Sequence, residues 1–275
     1  MVDPESRFDG EVSEAVWRSM LTDRNPIQQR RRLFGPLLYS HLPSAPRCKA
    51  CTRPFGGPGG ALMRAMGRGP WTKNAKYCAG CFRFLRQNHG GAEVECSLLF
   101  ADVRGSTPLA ESMRPLEFSR LMGRFYDTAM AVMVEHDAIV DKFAGDEIVA
   151  IFVPSMAGSA HARVALTAAI ELLRRTGHGG SEDPWVSIGI GVNTGQAYVG
   201  TIGDGLDTEL TAMGDEVNVA ARLGSSAGPG EILVTDRVIA GAGLSGSAFE
   251  RRSLTLRGKS HPVHVAVVGA GTRLG

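Results

Sequence analysis

Apolar positions along the chain follow two alternating rhythms. Short apolar runs at 94–101, 139–143, 147–152, 186–192, 197–202, 232–235, 249–256 and 262–268 predict β-strands. Between several of them the spacing changes to that of a helix. Over 116–134, Phe118, Leu121, Met122, Phe125, Ala129, Val132 and Met133 recur on one helical face. Residues 157–173 are Ala-rich with Val164, Leu166, Ile170 and Leu173, and a third helix is predicted over 216–223. A polar stretch at 177–183 reads as a solvated turn. Strand, helix, hairpin, helix, strand is the order of a ferredoxin-like α/β sandwich.

The pattern differs upstream. Residues 1–46 are polar and locally charged, with a short helix predicted at 13–21. Arg30-Arg31-Arg32 precedes Leu33-Phe34 and Leu37-Leu38-Tyr39, with Pro36 marking a bend. We read this as a solvated basic face beside a packed ridge rather than a lipid or nucleic-acid contact. Residues 47–92 carry two CxxC pairs, Cys48/Cys51 and Cys78/Cys81, around a Gly/Pro-rich loop with little core of its own. Four thiolates suit tetrahedral zinc, whose binding would supply folding energy. An iron–sulfur cluster or a redox dithiol uses the same residue types, and both stay open. The second pair runs into Phe82-Arg83-Phe84-Leu85-Arg86, read as a short helix, in an arrangement that resembles a treble-clef zinc knuckle. Cys96 stands apart and reads as a packing residue. The expected division is a helical segment at 1–46, a four-cysteine unit at 47–92 and a main domain at 93–270.

Composition narrows the function classes. The 275 residues suffice for one full domain and an appendage. At 43% hydrophobic, 21% charged and net charge +2, the chain is neither disordered nor a bulk binder of nucleic acid. No apolar run approaches the roughly 20 residues that span a bilayer. The N-terminus has no basic segment leading into an apolar one, so a cytoplasmic location is expected.

Two aspartates carry the candidate chemistry. Asp102 closes the apolar run Ser97-Leu98-Leu99-Phe100-Ala101, and Asp146 sits in the turn Phe143-Ala144-Gly145-Asp146. Two carboxylates held at strand ends make an oxygen-rich site for hard divalent cations, and an adjacent Gly turn suggests phosphate chemistry.

Residues 97–268 resemble the catalytic domain of class III nucleotidyl cyclases. Four blocks carry the likeness: residues 99–107 (LFADVRGST), 141–146 (DKFAGD), 189–195 (GIGVNTG) and 211–223 (TAMGDEVNVAARL). The resemblance implies a palm-like sandwich working as a head-to-tail homodimer. It also implies conversion of a nucleoside triphosphate to a 3′,5′-cyclic monophosphate and pyrophosphate at sites shared between subunits. It places two Mg²⁺ or Mn²⁺ ions per site on Asp102, Asp146 and the Val103 carbonyl. The amides of Gly105, Ser106 and Thr107 would face the terminal phosphates. Lys142 and Thr211 match the pair that reads the purine. A lysine suits adenine N1, where guanine would want an acceptor, so ATP is the expected substrate. Asn218 would orient the ribose and Arg222 stabilise charge on the α-phosphate. Where the family has a phosphate-binding lysine this chain has Arg257, followed by Lys259, and either could serve. His136, His161, His178 and His264 share no metal spacing and read as structural or surface residues. A guanylate cyclase, or a catalytically silent cyclase-like nucleotide-binding module, is the alternative. The cysteine unit is expected to be a scaffold that buttresses the dimer, with a sensor of metal or redox state as the alternative, and the N-terminal domain is a candidate docking point for a regulator.

Overall fold

The computed structural model describes residues 10–22, 48, 53–67, 69–71, 74–81, 89–203, 209–256, 259 and 261–274. Arg30–Arg32, the helix expected at 82–86, Cys51 and Arg257 lie outside them.

Two antiparallel strands, β1 (Pro70–Trp71) and β2 (Asn74–Cys78), form a small ribbon. The main sheet comprises β3 (Gly91–Val103), β4 (Ile139–Ala144), β5 (Glu147–Phe152), β6 (Ile188–Ile202), β7 (Glu209–Met213), β8 (Glu231–Thr235), β9 (Glu250–Leu254) and β10 (Val263–Gly269). Its order is β4-β5-β3-β6-β8-β10-β9, with β7 also paired to β6. β6 and β8 run parallel, and the other pairings are antiparallel. Helices α1 (Gly10–Thr22), α2 (Gly57–Ala65), α3 (Ser106–Ser112), α4 (Pro115–Glu135), α5 (Pro154–Ala157), α6 (His161–Arg175), α7 (Asp215–Ser226) and α8 (Asp236–Gly241) surround it.

Strand alternation sorts the core into two faces. Leu99, Ala101 and Val103 of β3, Ile148, Ala150 and Phe152 of β5, and Ile188, Ile190 and Val192 of β6 point to one face. There they meet Phe125, Ala129 and Met133 of α4 and Leu166, Ala169 and Leu173 of α6. Of the helix-spaced residues read from the sequence, α4 buries Met122, Phe125, Ala129, Val132 and Met133, while Phe118 and Leu121 are half-buried against the core, and Pro115 in its first turn fixes its start. Each such side chain contributes about 1.5–3 kcal/mol by leaving water. Val94, Cys96, Leu98 and Phe100 alternate to the opposite face, where Trp17, Leu21, Cys48, Phe55 and Cys78 pack on them.

The runs expected at 186–192 and 197–202 are one strand. β6 continues through Asn193-Thr194-Gly195 because partners on both faces satisfy the polar side chains. Asn193 Nδ2 donates to Glu216 Oε2 (2.7 Å), its Oδ1 accepts from Thr235 (2.8 Å), and Thr194 Oγ1 lies 2.7 Å from Ser97 Oγ. Gly191 lets α7 approach closely: a Cβ there would stand 2.2 Å from the Gly224 nitrogen.

Candidate functional site

Asp102 is the penultimate residue of β3, opposite Glu147 of β5 and Gly189 of β6. Asp146 occupies the turn joining β4 to β5, which Gly145 makes possible with φ 65°. The Val103 N–H donates to the Asp146 carbonyl (3.1 Å), pinning that turn to the strand end. Ser106 Oγ donates to Asp146 Oδ2, and the Tyr126 hydroxyl donates to the Gly145 carbonyl. The two carboxylates therefore sit side by side on a rigid edge. Burial lifts the Asp102 carboxyl above its usual range; the Arg104 guanidinium opposes that rise and the Asp146 charge reinforces it.

Arg104 forms an ion pair with Asp102, and its Nη1 donates to the carbonyls of Ser225 (2.9 Å) and Ala227 (3.2 Å). Those carbonyls end α7, the helix that carries Asn218 and Arg222. Arg104 thus fastens the carboxylate edge to that helix within one chain. Its role was not legible in the sequence, since the acceptors lie more than a hundred positions away.

The other expected residues fall as follows. Gly105 takes the left-handed conformation (φ 67°) and Ser106 begins α3, with Thr107 exposed. Asn218 and Arg222, four apart on α7, are exposed and half-buried respectively. Lys259 pairs with Asp215 in the first turn of α7. Lys142 follows a bulge in β4, and the register sets position 142 opposite Val149. Thr211 on β7 donates to the buried Asp141 Oδ2 (2.7 Å). Asp141 had no assigned role in the sequence, although an acidic residue inside an apolar strand is a signal.

The cysteine unit also converges. The sulfurs of Cys48, Cys78 and Cys81 lie within 4.8 Å of one another. The Cys78 N–H donates to Cys48 Sγ (3.2 Å), and Arg53 Nη1 approaches Cys78 Sγ (3.7 Å). Both contacts bring N–H donors to the sulfurs of the cluster. Cys96 is fully buried, and burial pushes its thiol up to about 12. Among the histidines, His136 bonds the Val132 carbonyl, His178 accepts from the Ile188 N–H, and His161 is buried against Ser97 Oγ (2.8 Å). These are structural roles.

Residues 91–268 match the family model described as the adenylate and guanylate cyclase catalytic domain. The chain belongs to that family. Its cyclase domain is 30% identical over 185 residues to an adenylate cyclase of Anabaena cylindrica, covering 63% of this chain and 36% of the relative. It is 34% identical over 187 residues to the uncharacterized protein Mb1354c of Mycobacterium bovis, covering 66% of this chain and 32% of that protein. The chain thus spans about a third of these curated relatives. Among solved structures, the guanylyl cyclase Cya2 superposes with TM-score 0.58 at 28% identity, covering 66% of this chain and 95% of that one. The adenylyl cyclase CyaB from P. aeruginosa gives TM-score 0.56 at 26% identity, covering 65% and 95%. The ferredoxin-like arrangement expected from the sequence is thus the cyclase fold. The cysteine cluster precedes the matched residues. Among the described residues, no helix is long and apolar enough to cross a membrane.

Proposed function

We propose that the chain is an adenylate cyclase, converting ATP to 3′,5′-cyclic AMP and pyrophosphate at two sites shared across a head-to-tail homodimer. The observation that carries this reading is the fixed pair Asp102 and Asp146. Their donor set fits Mg²⁺ or Mn²⁺: two carboxylates and the Val103 carbonyl are all hard oxygens, and burial with mutual repulsion makes a cation welcome. When bound, such ions lower the pKa of the ribose 3′-hydroxyl and offset charge on the departing phosphates.

The chain's own residues do the remaining work. Asp102 and Asp146, with the Val103 carbonyl, would hold the cations beside the ribose 3′-hydroxyl and the α-phosphate. As the O3′–Pα bond forms, the hydroxyl proton passes to solvent water and the bond from Pα to the pyrophosphate oxygen breaks, its electron pair leaving with pyrophosphate. Arg222 meets the charge that redistributes on the α-phosphate, and Asn218 orients the ribose. The amides of Gly105, Ser106 and Thr107, with Arg257 or Lys259, receive the β- and γ-phosphates. Lys142 donates to adenine N1 and Thr211 accepts from the 6-amino group. Carboxylates from one subunit face Asn218 and Arg222 of its partner, so a monomer is inactive.

Cys48, Cys51, Cys78 and Cys81 hold a structural zinc in this reading, with an iron–sulfur cluster as the alternative that metal analysis separates. The N-terminal region is a candidate docking point for a regulator, and the protein acts in cytoplasmic signal transduction. A second reading, guanylate cyclase, draws on the likeness to the guanylyl cyclase Cya2.

The test is to incubate the purified protein with manganese and either ATP or GTP and identify the product by mass. Cyclic AMP that vanishes in Asp102→Asn supports the proposal. Cyclic GMP as the main product selects the second reading. No cyclic product from either nucleotide, from a confirmed dimer, overturns both.

A further inference from the structure

Asp141 lies at a bulge. The pairing of β4 with β5 runs Ile139↔Ile151 and Val140↔Ala150, then shifts so that Lys142 opposes Val149. A bulge inserts one unpaired residue and re-aims the side chains around it. Here the inserted residue is an aspartate that is only 4% exposed. Thr211, partly open to solvent, donates its hydroxyl proton to that carboxylate at 2.7 Å. The threonine comes from the β6–β7 hairpin, where it pairs with Gly200. The bond therefore joins two distant parts of the sheet beside Lys142.

A threonine hydroxyl has one proton and two acceptor lone pairs, whereas an ionised carboxylate only accepts. With its proton committed to Asp141, Thr211 presents lone pairs alone to anything above it. The 6-amino group of adenine donates to such an oxygen. The 6-oxygen of guanine would meet it lone pair to lone pair, leaving a desolvated acceptor unpaired. We propose that Asp141 is a specificity-determining positioning residue, which sets adenine over guanine by fixing the hydroxyl of Thr211 as an acceptor. This rests on the reading above that Thr211 faces the purine.

The experiment compares wild type, Asp141→Asn, Thr211→Val and the double variant. An asparagine amide can donate to Thr211 Oγ1, freeing the hydroxyl proton to point outward. In Asp141→Asn we expect the ATP:GTP ratio of kcat/KM to fall by about tenfold or more, the scale of one mismatched polar contact. The relative affinity for α,β-methylene ATP and GTP, whose α,β bridge cannot break, should shift in the same sense. Thr211→Val should also lower the ratio, and adding Asp141→Asn to it should change nothing further. A purely structural Asp141 would weaken both nucleotides equally, and an unchanged ratio in a folded Asp141→Asn protein overturns the inference. Should that variant fail to fold, an unchanged ratio in Thr211→Val overturns it instead. A wild type that makes no cyclic product, yet prefers the ATP analogue until Asp141 is changed, refutes the cyclase reading and leaves this inference standing. Selective cyclic AMP synthesis with an unaltered ratio in Asp141→Asn does the reverse.

Discussion

Gly191→Ala is a one-carbon change with a calculable consequence. The added Cβ would lie 2.2 Å from the Gly224 nitrogen, 2.5 Å from the Ala220 oxygen and 2.7 Å from the Leu223 carbonyl carbon. Ordinary contact begins near 3.4 Å, so the worst overlap is about 1.2 Å (3.4 − 2.2). All three atoms are backbone of α7, so no rotamer change relieves them and the helix must move by about an ångström. Overpacking of this kind costs about 1–3 kcal/mol. At about 2–4 °C per kcal/mol for a domain of this size, the melting temperature should fall by roughly 2–12 °C. The functional loss should be larger. α7 carries Asn218 and Arg222, and its last carbonyls hold Arg104 on Asp102. Displacing such groups by about 1 Å costs about a hundredfold in rate. Circular dichroism melting and initial rates of cyclic nucleotide formation at saturating substrate measure both effects. Gly123→Ala is the matched control. A Cβ there meets nothing within 4 Å in the interior of α4, and the change should stabilise by about 1 kcal/mol. Wild-type melting and undiminished rate in Gly191→Ala would refute the tight seating of α7 on β6.

Three further outcomes are expected. With its thiol pushed up to about 12, Cys96 should resist alkylation at about pH 8 in the folded protein and react once unfolded; labelling of the native residue contradicts its burial. Stripping metal with a chelator should expose Cys48, Cys78 and Cys81 to the same reagent and lower the melting temperature; unchanged melting and labelling would eliminate a structural metal. Burial depresses the His161 pKa below 6.5, with Glu95 opposing in part, so the unfolded chain binds the proton more readily. The stability this residue contributes is present above pH 6.5 and is lost as pH falls through the depressed value. His161→Gln should flatten that decline in the melting temperature, and an unaltered pH profile would count against it.

Helix periodicity was legible wherever one face was buried. The residues spaced along 116–134 are those that α4 packs inward, and Asp102 and Asp146 are found together as the family blocks implied. What escaped depended on partners remote in sequence. Asn193-Thr194 looked like a break because its polar atoms had no visible acceptors, yet Glu216, Thr235 and Ser97 supply them. β7 is five residues with alternating burial, too brief for its pattern to stand out. α3, made of Ser106–Ser112, fully buries no residue and packs only Leu109 against the core, too little for an apolar signature. Arg104 had ordinary local surroundings, Asp141 stood out only as an acidic residue in an apolar strand, and their partners, Ala227 and Thr211, lie 123 and 70 positions away.

The inherited unit and the folding unit of this protein do not share an edge. The family match opens at residue 91, but Trp17, Cys48, Phe55 and Cys78 form part of the same apolar mass as Leu98 and Phe100. Trimming the chain to its recognisable portion would therefore strip one wall from the sheet and leave an oily surface facing water. Loading or emptying the thiol cluster would be felt by β3 from inside its own core, as a change of filling rather than a touch at a boundary. Were the thiol cluster a metal sensor, it would need no hinge and no linker, because Cys48 and Cys78 share one core with the strand that carries Asp102.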